Sequence, residues 1–142
     1  MTQDEKQILM MDLCGRLSYG VKCIDITPLE QFQDKNLWKI ERIRADIMEL
    51  AMSNCYVCYG NYINIHNIKP YLFPMSSMNE EEKKEYRKAC ELDTEILSKH
   101  PMDETPFPAL YNSQDWLNAH HFDYRGLIEK GLAIDATNKN IY

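Results

Sequence analysis

A chain of 142 residues with 44% hydrophobic and 27% charged side chains fits one domain, long enough to bury most of the apolar surface of its unfolded state without metal or disulfide staples. The net charge of −6 falls mostly on residues 79–142, with thirteen acids against eight bases, which argues against direct binding of DNA or RNA phosphates and leaves an acidic surface suited to a basic partner. Five Cys is an odd count; with no charged-then-apolar leader and no run near the roughly 18 apolar residues of a membrane span, it predicts a cytoplasmic protein with free thiols.

Thr2-Gln-Asp-Glu5 has capping-box spacing, and Leu9, Leu13 and Leu17 follow at a helical period, so a helix is predicted over residues 3–16. Tyr19-Gly20 ends it, residues 21–26 read as a strand and residues 28–36 as a polar loop. Residues 37–52 read two ways: Leu37, Ile40, Ile43, Ile47 and Leu50 recur at a helical period, while Trp38 and the three Ile suit a strand. Gly60-Asn61 predicts a two-residue hairpin turn in which Tyr59 opposes Tyr62, Cys58 opposes Ile63 and Tyr56 opposes Ile65. That register makes Tyr56, Cys58, Ile63 and Ile65 a core face. Pro70 and Phe73-Pro74 forbid a long helix, so the chain is expected to leave the sheet there.

Ser77-Met-Asn-Glu80 is a second capping box, opening a helix that runs to about Lys99, where His100-Pro101 stops it. Its apolar stripe is Tyr86, Ala89, Leu92 and Ile96. Pro101, Pro106 and Pro108 make a loop up to residue 111, after which Asn112 or Ser113 caps a short helix from Gln114. Residues 121–126 read as a turn, residues 127–132 as one more helical turn, and Gly131 lies where a helix end needs a left-handed residue. The one domain thus divides into a helix plus β core over 1–78 and a helical part over 79–142.

The only crowding of ligand-type side chains is over residues 115–136. Asp115, His120, His121 and Asp123 are the candidates for metal or acid–base chemistry, because imidazole and carboxylate are the usual ligands and proton carriers near neutral pH. The spacing is not that of H-E-x-x-H, and adjacent His on a helix diverge by about 100°. The structural alternative uses Asp115 at a helix start, Trp116 and Phe122 in the core and one His on the Trp ring. Asp123, Tyr124 and Arg125 either hold a ligand or form a turn in which Asp123 takes Arg125 or backbone amides. Tyr59 and Tyr62 form a surface suited to a partner. Cys55-Tyr-Val-Cys58 has half a zinc motif, but residues three apart in a strand face opposite ways, so Cys55 would share a face with His66 while Cys58 enters the core; no metal or cofactor is predicted. Phosphate-cradling and nucleophile-elbow motifs are absent.

Three segments, Met10-Met-Asp-Leu-Cys-Gly-Arg-Leu-Ser-Tyr-Gly20, Ile68-Lys-Pro-Tyr-Leu-Phe-Pro-Met-Ser-Ser-Met78 and Asp115 through Tyr142, resemble a group of uncharacterised small proteins of gut-bacterial prophages and mobile elements. The resemblance covers roughly half of the chain, and it implies context rather than mechanism, since no activity is established for that group. It implies several short strands between the first helix and Lys-Pro-Tyr-Leu, which makes residues 37–52 strand. The expected fold is α+β: a small bent antiparallel sheet, an SH3-like half-barrel, with the N-terminal helix and C-terminal helices packed on it. The leading functional expectation is a non-enzymatic module that binds a host or phage protein. The alternatives are a small-ligand or nucleotide pocket, with Trp116 or Tyr124 stacking and Arg125 and His120 meeting charge, and a metal-dependent or acid–base enzyme using His120, His121 and Asp123.

Overall fold

Helix α1 spans Gln3–Arg16 and starts as its capping box predicts: the Glu5 N–H donates to the Thr2 hydroxyl at 3.2 Å, and the Thr2 N–H donates to the Glu5 carboxylate at 2.6 Å. The computed structural model describes residues 1–26, 37–39, 42–45, 55–59, 61–99 and 112–142. Among these, α1 leads through a 3-10 turn, Leu17–Tyr19, to Gly20, whose φ of 68° is a left-handed conformation that costs glycine nothing. Strand β1, Lys22–Asp25, follows. Leu9 and Leu13 are fully buried and Leu17 partly so, the helical stripe of the sequence.

The described parts of residues 37–52 are strand rather than helix: β2 is Leu37–Lys39 and β3 is Arg42–Ala45. β2 pairs antiparallel with β1, and β3 with β4, Cys55–Tyr59. β4 in turn pairs with β5, Asn61–Asn64, one residue tighter than the two-residue turn requires. Tyr59 opposes Asn61, Cys58 opposes Tyr62, Val57 opposes Ile63 and Tyr56 opposes Asn64. The register is shifted by one residue from the expected one, so the pairs Tyr59–Tyr62, Cys58–Ile63 and Tyr56–Ile65 do not form. Ile65 itself is buried, as expected. The predicted loops over 28–36 and 102–111 lie outside the described residues.

The chain does not leave the sheet at Pro70. Residues Ile68–Pro74 form β6, the strand on which a mixed sheet is built, with the buried residues Ile68, Pro70 and Leu72 alternating along it. β1 runs antiparallel to β6, while two strands near the end of the chain, β7 (Phe122–Asp123) and β8 (Ile134–Asp135), run parallel to it. Backbone hydrogen bonds show how a proline fits in a central strand. The carbonyl of Asn67 and the N–H of Phe73 bond toward the edge holding β1 and β7, whereas the Leu72 carbonyl bonds to Ala136 beyond β8. Pro70, in phase with Leu72, points its nitrogen to the β8 edge, where pairing begins only at Tyr71. The missing N–H therefore forfeits no ladder bond.

Helix α2, Glu80–Lys99, ends where expected but starts from a different box. Asn79 takes the capping role: its side chain accepts the Glu82 N–H at 2.9 Å while Glu82 accepts the Asn79 N–H at 2.8 Å. The Ser77 hydroxyl instead closes the preceding turn on the Pro74 carbonyl. The inward stripe is also displaced from the expected one. Tyr86, Ala89 and Ile96 face inward or half-inward, but Leu92 is 51% exposed and Asp93 is the buried residue of that turn.

The reason is α3, Asn112–Ala119, which begins two residues before the expected Gln114 and is capped from another helix. The Asp93 carboxylate accepts the N–H groups of Asn112 and Ser113 at 2.8 and 2.9 Å, and their side chains at 3.0 and 2.6 Å. Helix starts leave N–H groups unsatisfied and carry a partial positive charge, so a carboxylate fits there. Two apolar clusters result. One joins Leu9, Leu13, Val21, Cys23, Ile65, Ile68, Leu72, Leu127 and Leu132; the other joins Met78, Leu117 and Phe122 under Phe73, Tyr86 and Trp116. The described residues thus form an α+β fold with three α-helices.

Candidate functional site

The aromatic part of the crowded segment is packed into the fold. His120 stacks on Trp116 with centroids 3.9 Å apart, and its Nδ1–H donates to the Trp116 carbonyl one turn back at 2.8 Å. Phe122 lies nearly parallel to the same indole at 5.7 Å, and Tyr86 of α2 tilts against it at 5.7 Å. The helix spacing that places His120 one turn after Trp116 is what makes the stack. Asp115, in the first turn of α3, accepts the Tyr19 hydroxyl at 2.5 Å, and this bond raises the Tyr19 pKa above its ordinary value. It ties α3 to the turn after α1.

Beneath lies an ion pair that sequence spacing did not nominate. Asp12 and Arg16 are both fully buried; Arg16 Nε donates to Asp12 at 2.7 Å and Nη2 at 3.0 Å. The guanidinium also donates to the Phe122 carbonyl at 2.7 Å and the Leu117 carbonyl at 3.3 Å, fastening α1 to the α3–β7 junction. A charged pair survives burial only when its remaining donors and acceptors are met, as these are. The signal was present: Asp12 and Arg16 stand at i and i+4 on the face that carries Leu9 and Leu13. Arg125 comes to 3.4 Å from the same carboxylate, but its Nε makes no hydrogen bond. Tyr124 lies by both cations, with Arg16 Cζ 5.4 Å and Arg125 Cζ 4.8 Å from its ring centroid. Its hydroxyl donates to Asn118 and accepts from Gln114, both at 3.0 Å.

Asp123 serves the turn that follows it. Its carboxylate accepts the Leu127 N–H at 2.9 Å and the Ile128 N–H at 2.8 Å, the backbone-amide reading of Asp123-Tyr124-Arg125. Gly126 and Gly131 both sit at φ 69°, and the second occupies the left-handed position expected of it.

His121 is the exception among the candidates. It is 7% exposed, its backbone φ is 59°, and its Nδ1 is buried without a hydrogen-bond partner. A left-handed residue with a side chain costs about 1–2 kcal/mol, and a buried unsatisfied polar atom about 1–3 kcal/mol. The ring stacks on Tyr142 with centroids 3.9 Å apart. Burial, then the charges of Arg16, His120 and Lys22, hold its pKa down to about 4, so the imidazole is neutral near pH 7 and a weak base for proton transfer there.

The structure thus divides the candidates. His120 joins the Trp116 stack, Tyr124 and Arg125 join the polar core around Asp12, Asp123 caps a turn, and His121 turns to Tyr142 instead of toward Asp123. Tyr59 and Tyr62 lie on adjacent strands at different rungs, Tyr59 opposite Asn61 and Tyr62 opposite Cys58. The structure describes the backbone of these residues and of Cys55 and Cys58, and their side chains lie outside what it describes. Among the described residues no three His, Cys, Asp or Glu side chains gather as a metal site, and no helix is long and apolar enough to cross a membrane. Sequence reasoning missed Asp12, Arg16, Asp93 and Tyr142. Comparison with protein-family models, with curated proteins and with solved structures finds no match to this chain.

Proposed function

We propose that this chain is a non-enzymatic binding module of a phage or mobile element, and that it engages a basic face of a host or phage protein through the outward side of α2. One observation carries the reading. The helix is anchored along a single side by Tyr86, Ala89 and Asp93, while its other side is exposed and sets Leu92 among Glu85, Glu91 and Glu95, with Lys88 one turn before it and Lys99 paired to Glu95. An exposed apolar side chain among charges, with acids outnumbering bases three to two, suits a partner with an apolar centre and a rim of complementary charge. The finer architecture belongs to the same proposal: the β3–β4–β5 meander and the β1–β2 pair support an SH3-like half-barrel.

A photo-crosslinking residue at position 92 tests it in a host lysate, with one at exposed position 11 on α1 as the control. The expected result is a specific adduct with a basic protein at position 92 alone, lost as salt is raised. An adduct equal at both positions, or a turnover screen that finds a substrate, would sink the reading.

A small-ligand reading is favoured by a different observation, the seating of Tyr142. The pocket expected between the sheet and the C-terminal segment, with Trp116 or Tyr124 stacking and Arg125 and His120 meeting charge, gains less support, because those side chains are committed to one another and to the core.

A further inference from the structure

Along one edge of β6 the ladder changes partner, from β1 to β7, and the seam between them is filled by a side chain. The register of β1 on β6 would next oppose Lys22 to Tyr71. Instead the Tyr142 hydroxyl stands between them, accepting the Lys22 N–H at 3.1 Å and donating to the Tyr71 carbonyl at 2.9 Å. Two residues on, the Phe73 N–H resumes the edge by donating to the His121 carbonyl at 2.9 Å. The Tyr142 ring lies in the seam, stacked on His121 at 3.9 Å, tilted against Phe73 at 5.9 Å, and with Lys22 Nζ 5.5 Å from its centroid.

We propose that this seam is a binding slot for a phenol ring, supplied as a free phenol or as a tyrosine side chain, and that Tyr142 occupies it as a tethered competitor. Each part of a phenol has a counterpart there. A stacking face, an aromatic edge and a cation meet the ring, and one N–H and one carbonyl meet a hydroxyl, a small group that both accepts and donates through a single atom. His121 lines the slot while buried, left-handed and with Nδ1 unpartnered. Packing Tyr142 requires none of these three features, and strained backbone and unpartnered buried polar atoms concentrate at functional sites. The occupant also has a way out. Residues 137–140 are exposed and Tyr142 is 42% exposed. The segment's other hydrogen bonds are the Thr137 N–H to Asp135, the Lys139 N–H to the Ala136 carbonyl and the Lys22 ammonium to the Ile141 carbonyl. The inference stands on β1, β6 and His121, not on the α2 surface proposed above.

The test titrates the full chain and its Tyr142→Phe and Tyr142→Ala variants with p-cresol, with toluene, and with a short blocked peptide holding one tyrosine, following the His121 ring protons by NMR. A tether of this length presents its own ring at about millimolar effective concentration. The parent chain is therefore expected to bind p-cresol weakly, and Tyr142→Ala at least about tenfold more tightly, since the competitor is gone. Tyr142→Phe keeps the stack and the packing but loses the hydroxyl, so it is expected to lie between the two and keeps the test valid if Tyr142→Ala does not fold. Toluene is expected to bind about tenfold more weakly than p-cresol, the worth of a hydrogen bond. Binding of p-cresol alone assigns the slot to a small phenol, and binding of the peptide assigns it to a tyrosine side chain. No binding to folded Tyr142→Phe, binding that leaves His121 unshifted, or equal binding of toluene overturns the proposal.

Discussion

Asp12 and Asp93 are both buried carboxylates on helices, and each ties its helix to the segment 112–123, yet they are held by different physics. Asp12 meets a guanidinium and shares full burial with it. Asp93 meets four neutral donors at the first turn of α3 and, among the described residues, no cation. A desolvated ion pair gains little over an apolar pair but costs much when one member is lost. A carboxylate on free helix N–H groups gains from dipoles already fixed by the fold, and its loss leaves groups that water can reach. The first device makes the junction of α1, α3 and β7 intolerant of change; the second sets where α3 begins.

The comparison breaks first at Arg16. Arg16→Met leaves the Asp12 charge with only the more distant Arg125 guanidinium and strips its hydrogen bonds, and is expected to cost about 3–5 kcal/mol in urea unfolding. The double variant Asp12→Leu with Arg16→Met should recover most of that loss; if it unfolds as easily as the single variant, the pair is not the unit described.

Asp93→Ala removes four bonds to a charged acceptor and is expected to cost about 2–3 kcal/mol. Its pH dependence sharpens the contrast. Burial raises the Asp93 pKa, but the bonds from Ser113 and Asn112 outweigh it and leave the value below the ordinary 3.8. A carboxyl with a lower pKa in the folded chain contributes stability that is complete above the unfolded value and lost as pH falls through the folded one. Acid melts of the parent should thus lose stability below about pH 4 that Asp93→Ala has already lost.

His121 gives an effect of known sign. Its folded pKa of about 4 lies below the ordinary 6.5, so the unfolded chain takes up the proton first and stability falls as pH drops from 6.5 to about 4. His121→Asn, whose side chain tolerates the left-handed backbone, should flatten the melting temperature over that window. An unchanged slope would mean that another group carries it.

Least of all, Gly131→Ala should cost about 1 kcal/mol, from the left-handed φ alone, because nothing lies within 4 Å of the added carbon. This probes the chain where neither acid acts.

Local signals were legible and long-range ones were not. Thr2 and Glu5 sit three residues apart and satisfy each other, so α1 could be read to the residue. Asn79 and Glu82 offer the same spacing as Ser77 and Glu80, and only the turn before the helix decides between them. Leu92 was placed in the core because periodicity knows hydrophobicity; Asp93 displaced it because α3, nineteen positions away, brings an unsatisfied helix start. Pro70 argued against a strand because sequence does not say which edge its nitrogen faces or where the partner begins. β7 and β8 have two residues each, too short for any period, and exist because β6 supplies their partners. Of the site, the Trp116–His120 stack and the Asp123 turn followed from spacing, whereas the Tyr142 seat joins residues 71 positions apart.

The placement of β7 and β8 bears on how the chain comes to be folded. The strand at the heart of the sheet is synthesised first, and the partners along its β8 edge arrive some sixty residues later. A nascent chain therefore carries β6 with open backbone groups for the seconds that those residues take to emerge, at about 5–20 residues per second. Exposed strand edges seek other strands. The interval favours a chaperone on the emerging α1–β6 portion, and silent changes that slow translation between codons 75 and 134 should lower soluble yield without altering the finished protein.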